Sequence, residues 1–341
     1  MKESHNSNNN SNSNNNNNYF KGEIIMRKIT IKTMEAFAGT VRAALEVVYT
    51  GFSIEISEVT KNNGLQLTGI TVRTSDVNLA PTIYLNGYFK DYTAGTPLEE
   101  VVKSVISAYE AHKVDVDFDI NSVTDFDMVK NRICYKVVNR DRNKALLRDI
   151  PFLVFENLAI IFYLLVSEDR EGTATITVKN PFMEIWGIDS TEELFELAKA
   201  NTQRIFKGKV HHMMEIMAEI MGDNEGELDQ EVEDAAFFQM NILEDDAMPM
   251  YVCTNDKKLN GAGVIFYDGL LQEFAKKIGG SFYILPSSIH ESLFVPAIGD
   301  IDSSYLIQMV REINATEVSP EEVLSDNIYF YNADTDRMEM M

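Results

Sequence analysis

Ser287, Ser288, His290 and Glu291 bring two hydroxyls, an imidazole and a carboxylate into one short stretch of chain. These are the residue types of acyl-transfer hydrolysis, with a serine as nucleophile, a histidine as base and a carboxylate to orient the histidine. That chemistry needs a serine–imidazole contact near ~3 Å and donors facing a developing oxyanion. Side chains so close in sequence, on an extended or turning backbone, seldom aim at one point. The sequence also lacks a GxSxG elbow. The expectation is therefore a structural loop whose Ser and His bond local backbone, with a small-molecule hydrolase centred on these residues as the alternative.

Residues 213–250 hold twelve carboxylates and no Lys or Arg. Asp223, Glu225 and Glu227 alternate as the first ligands of a calcium loop would, but Leu228 stands where the sharp turn needs glycine. Together with Asp229, Glu231, Glu233 and Asp234 they read as an acidic surface segment suited to a basic protein partner. His211 and His212 are neighbours, so on a helix they point about 100° apart. His211 and Glu215 share a face but offer too few ligands for zinc. Asp115, Asp117 and Asp119 alternate along a segment better explained by exposure to water. Gly261-Ala262-Gly263 reads as a turn, and there is neither a GxxxxGK[ST] loop nor a GxGxxG sequence. No metal and no cofactor are expected.

With 53 acidic against 30 basic residues, the chain carries a formal net charge of -23. Phosphate backbones and anionic lipid surfaces would repel it, so direct nucleic-acid and membrane partners are not expected. An acidic decoy of nucleic-acid-binding proteins is a further alternative. The longest apolar run, Leu158 to Val166, falls far short of a membrane span. Cys134 and Cys253 form no CxxC pair and read as buried free thiols, which fits a cytoplasmic protein.

The elements that must position these residues follow from periodicity. Residues 5–18 are almost wholly Asn and Ser and predict a disordered leader over 1–33, with Met26-Arg27-Lys28 offering a second start of translation. Phe37, Val41, Leu45 and Val48 predict a helix over 34–49. Alternating runs over 52–59 and 65–73, around Asn62-Asn63-Gly64, predict a hairpin, and residues 82–86 a further strand. Thr96-Pro97-Leu98-Glu99 predicts a Thr-capped helix start. Strands are expected at 133–138, 150–156, 158–166 and 173–178, then a helix capped by Ser190 with Glu193 completing its capping box. A Met-rich helix is expected to contain His211 to Met221. Strands at 250–253, 264–267, 282–285, 292–295 and 328–331 follow, with helices after Asp268 and over 302–314 and a helical turn from Ser319.

Four stretches carry a resemblance: Glu55 to Gly64, Ala80 to Leu85, Ile284 to Glu291 and Pro320 to Ser325. They resemble a large uncharacterised family of anaerobic gut bacteria and their mobile elements. Residues 150–206 and 264–331 are more faintly similar to a second uncharacterised family. Neither resemblance implies an activity or a set of site residues. The fold is expected to be α+β, with mixed or antiparallel sheets packed against helices in several lobes: subdomains at 34–120, 121–221 and 246–336, and an acidic segment at 222–245. The functional expectation is a non-enzymatic recognition or accessory protein.

Overall fold

A computed structural model describes residues 31–74, 80–113, 119, 121–169, 172–216, 248–286, 288–299 and 301–341. The chain divides into two compact units, residues 1–60 with 66–118, and residues 61–65 with 119–341. The architecture is α+β with antiparallel sheets packed against helices.

The first unit contains α1 (Met34–Val48), β1 (Ser53–Thr60), β2 (Gln66–Arg73), β3 (Thr82–Tyr84), α2 (Asn86–Ala94) and α3 (Leu98–His112). Thr33 Oγ1 accepts from the Ala36 amide at 3.3 Å, satisfying one orphan donor at the start of α1. Phe37, Val41 and Leu45 recur at helical spacing and are fully buried. They pack with Ile54, Ile70, Val102 and Val105 from the sheet and from α3. The strands order β1-β2-β3, which makes β2 the central strand. A Cβ at Gly69 would sit 2.5 Å from Thr82 Cγ2, so any larger residue there would require the Thr82 side chain to move.

Two expectations need correction here. Helix α2 is missing from the expectation: its face of Tyr88, Phe89 and Tyr92, which packs against Phe37, spans little more than one turn of a nine-residue helix, too short a run for periodicity to single out. Its end also overturns the Thr96 cap. Gly95 adopts φ 117° and the Thr96 amide closes the helix onto Asp91 O at 3.0 Å. Thr96 therefore completes α2, while α3 starts after Pro97 with no side-chain cap.

In the second unit β6 (Leu158–Asp169) is buried over 158–165, as expected of a central strand. It pairs with β4 (Ile133–Asn139) on one edge, and with β5 (Phe152–Phe155) and then β7 (Gly172–Thr177) on the other. Helix α4 (Asn180–Trp186) is anchored by Trp186, whose indole donates to Val123 O at 3.0 Å. Helix α5 (Thr191–Ile205) lies against β4.

A second sheet orders β13-β12-β10-β11-β9-β8, antiparallel throughout. Its strands are β8 (Gly208–His212), β9 (Tyr251–Asn255), β10 (Phe282–Leu285), β11 (Ser292–Pro296), β12 (Tyr329–Asn332) and β13 (Arg337–Met340). Alternation along the strands sorts the two faces. Leu285, Leu293 and Val295 meet Leu306 and Val310 of α7 (Ser303–Thr316). Phe282, Phe294 and Tyr251 stack around Phe274 of α6 (Leu270–Ile278), with ring centroids 4.8–5.0 Å apart. The left-handed glycine cap expected for α6 is present at Gly279, φ 79°.

Two elements differ from expectation in this unit. His211 and His212 belong to strand β8, paired with Val252 and Tyr251, and helical turns begin only at Met213. The unpaired edge of β9 recruits 208–212, and tertiary pairing overrides a helical pattern that begins two residues later. The apolar run 264–267 is likewise no strand. Gly261–Phe266 forms a 3-10 helix in which Gly261 to Ile265 are buried. A short apolar run does not by its period separate a strand from a buried helical turn.

Candidate functional site

The loop between β10 and β11 is held from both sides. On one side, the Ser325 amide donates to Pro286 O at 3.1 Å and the Ile289 amide to Glu322 O at 2.8 Å. On the other, the Ala262 amide donates to Ile289 O and Thr254 Oγ1 to His290 O at 2.8 Å. Gly261 permits this closeness, since a Cβ would stand 2.3 Å from His290 O and 2.2 Å from Thr254 Oγ1.

Within the loop, Ser288 Oγ accepts from the backbone amide of His290 at 3.0 Å, a local turn that takes up the hydroxyl as an acceptor. The His290 ring is largely buried. Its Nδ1 lies 3.2 Å from Lys258 O and 3.4 Å from the Asn260 amide, two contacts that belong to opposite tautomers. Nε2 lies 3.7 Å from Glu322 Oε1. Ser288 and His290 thus meet through backbone, while the ring faces Lys258, Asn260 and Glu322. Glu291 is half-buried. Ser287 lies outside the described residues.

The irregular segment 319–327 that flanks this loop is gripped by asparagines. Asn63 Nδ2 donates to Pro320 O and Val323 O, and Asn62 Nδ2 to Glu321 O. Asn143, nearly fully buried, binds Asn63 through both ends of its amide. Asn139 Nδ2 donates to Leu324 O, and Asn157 pairs with the hydroxyls of Ser325 and Tyr329. Residues 61–64, 284–291 and 320–325, three of the stretches that carry the resemblance, therefore meet in one hydrogen-bonded layer.

Other candidates are dispersed. His211 Nδ1 is 4.0 Å from Glu215, and His212 Nδ1 accepts from the Met214 amide. Asp119 spends an oxygen on Asn121, and Asp115 and Asp117 lie outside the described residues. Asp223, Glu225, Glu227, Asp229, Glu231, Glu233 and Asp234 also lie outside them. Among the described residues no group of three His, Cys, Asp or Glu side chains could hold a metal ion. Cys134 and Cys253 are free and buried. Burial pushes the Cys134 thiol up to about 11 against a smaller opposing hydrogen bond from Thr202, and pushes Cys253 up as well. Such thiols are not poised as nucleophiles. No helix among the described residues is long and apolar enough to cross a membrane.

Sequence reasoning misses one cavity. Arg142, Arg311, Asn314, Ala315 and Asp326 line a cleft of about 310 Å³. Asp326 is its hub: Oδ2 accepts from Arg142 at 2.7 Å, Oδ1 from Asn314 at 2.9 Å, and its carbonyl from Arg311 Nε at 3.3 Å. The arginines are too far apart in sequence to form a motif. Asn314 is the available signal, because it continues the Leu306, Val310 stripe on the buried face of α7.

One protein-family pattern matches residues 34–333, that of a family of unknown function (DUF5688). The chain belongs to DUF5688. The match starts with α1, ends just beyond β12 and takes in both compact units, including the loop and the asparagine layer. DUF5688 membership brings no assigned activity with it. No curated protein and no solved structure matches the chain.

Proposed function

We propose that this DUF5688 protein is a non-enzymatic recognition or accessory protein of the cytoplasm, whose acidic surface serves a basic protein partner. The observation that supports this reading is how the Ser288–Glu291 loop uses its polar groups. The Ser288 hydroxyl accepts from a backbone amide and the His290 ring faces Lys258, Asn260 and Glu322, so neither is directed at the other. The neighbouring backbone and asparagine bonds join residues 61–64, 284–291 and 320–325, which belong to three of the four stretches that carry the resemblance, and this fits a scaffold more than a reaction centre.

The test is turnover of a panel of p-nitrophenyl esters by the full chain, with Ser288→Ala and His290→Gln alongside. No turnover above buffer is expected from any of the three. His290→Gln should still lower Tm by roughly 2–4 °C, because about 1 kcal/mol of hydrogen bonding is lost. Turnover by the wild type that both variants abolish would replace this reading with hydrolysis. For the partner, capture is compared between the full chain and one lacking residues 222–234. A stoichiometric basic protein lost on deletion is the expected result.

A further inference from the structure

In a chain of net charge -23, the cleft at Arg142 and Arg311 is a local inversion of sign. Two guanidiniums and the single carboxylate of Asp326 leave it one positive charge in excess. A guanidinium carries five N–H donors. One on each arginine meets Asp326, and the remainder have no protein acceptor among the described residues. Both side chains are nonetheless positioned, Arg142 by the carboxylate and Arg311 by the backbone of the same residue. Asn314, 9% exposed, fixes that hub by donating to both Ser325 O and Asp326 Oδ1. The donors are thus held in place and lack an acceptor, which is what pre-organised oxyanion recognition requires.

We propose that this cleft binds a small monocarboxylate. Planar forked donors match a carboxylate's two oxygens. The charge balance chooses the monoanion: a phosphate monoester, at about -1.5 to -2, would exceed the local excess and meet more repulsion from the rest of the chain. The Ala315 methyl gives the cleft an apolar wall for a short aliphatic tail. This inference does not rest on the recognition reading, since a binding cleft is compatible with either outcome of the ester assay.

The experiment is saturation-transfer NMR on the full chain with propionate, its neutral isostere propionamide and inorganic phosphate, at constant ionic strength. Propionate is expected to saturate with a Kd on the order of 1 mM. Propionamide should bind at least about tenfold more weakly, a comparison that needs no variant. Arg311→Gln, at an exposed position, should weaken propionate about tenfold with the fold retained by circular dichroism, and Arg142→Gln should do the same. Absence of saturation by about 50 mM propionate overturns the site. So does equal binding of propionamide, or propionate binding unchanged in both variants. Phosphate saturating at lower concentration than propionate overturns the carboxylate assignment.

Discussion

Two small residues at the loop make opposite predictions. Gly261 has no room for a methyl: Thr254 Oγ1, His290 O and the Asn255 amide all lie within 3.0 Å of where its Cβ would stand. Two of these three are backbone atoms, so rotating a side chain does not relieve the clash. Gly261→Ala should therefore cost about 3 kcal/mol or more, read as a lower urea midpoint at unchanged slope. Ser292, at the start of β11, is fully buried, and its Oγ has no partner among the described residues. Removing a hydroxyl that is desolvated without compensation leaves the packing nearly intact. Ser292→Ala should be neutral or raise stability by up to about 1 kcal/mol in the same titration.

At the level of elements, caps separate what a sequence pattern announces from what the chain uses. Ser190 Oγ accepts from the Glu193 amide at 3.1 Å, and Glu193 returns a bond to the Asp189 amide. Ser190→Ala should cost about 1 kcal/mol. Thr96 presents the same local motif but makes no side-chain cap, so Thr96→Ala should stay within about 0.5 kcal/mol. Chemical denaturation of the two variants side by side checks the contrast. The reason generalises. Apolar stripes such as Phe37-Val41-Leu45, and the run 158–165, were readable because burial follows their period directly. Helix α2, strand β8 and the 3-10 helix at 261–266 were not, because neighbours from elsewhere in the chain decide them: the Thr68 and Asn86 contact, the open edge of β9, and the packing of Gly263 on Tyr135. The same limit applied to the sites. The Ser288–Glu291 cluster was visible in sequence along with its backbone-bonding alternative. The cleft, whose two arginines are joined only through Asp326, showed itself in sequence by nothing beyond a polar residue on a buried helix face.

Across the whole molecule, buried weak acids dominate the response to alkali. Burial raises the thiols of Cys134 and Cys253 and the phenols of Tyr135, Tyr163, Tyr267 and Tyr329. Each stays protonated in the fold at a pH where the unfolded chain has released the proton. The folded state then binds more protons than the unfolded one, so stability falls as pH rises. The loss begins near 9.0, the ordinary thiol value, and continues towards the raised folded values, about 11 for Cys134. At pH 10 each buried thiol accounts for roughly 1.4 kcal/mol. Lys136 on β4 works the other way. Burial first, and Lys61 second, lower its amine, and it has no hydrogen-bond or ion-pair partner among the described residues. Between its lowered value and 10.5 the unfolded chain binds the extra proton, so this group gains stability as pH rises. One amine offsets only part of what two thiols and the phenols lose. The urea midpoint should therefore fall reversibly between pH 8 and pH 10. Lys136→Met should sharpen the result, raising stability at pH 7 by about 1 kcal/mol because the costly amine is gone. It should also steepen the alkaline loss, because the offset has gone with it. A Lys136→Met chain less stable than wild type at pH 7, with an unchanged alkaline slope, would show that the amine is well solvated where it sits.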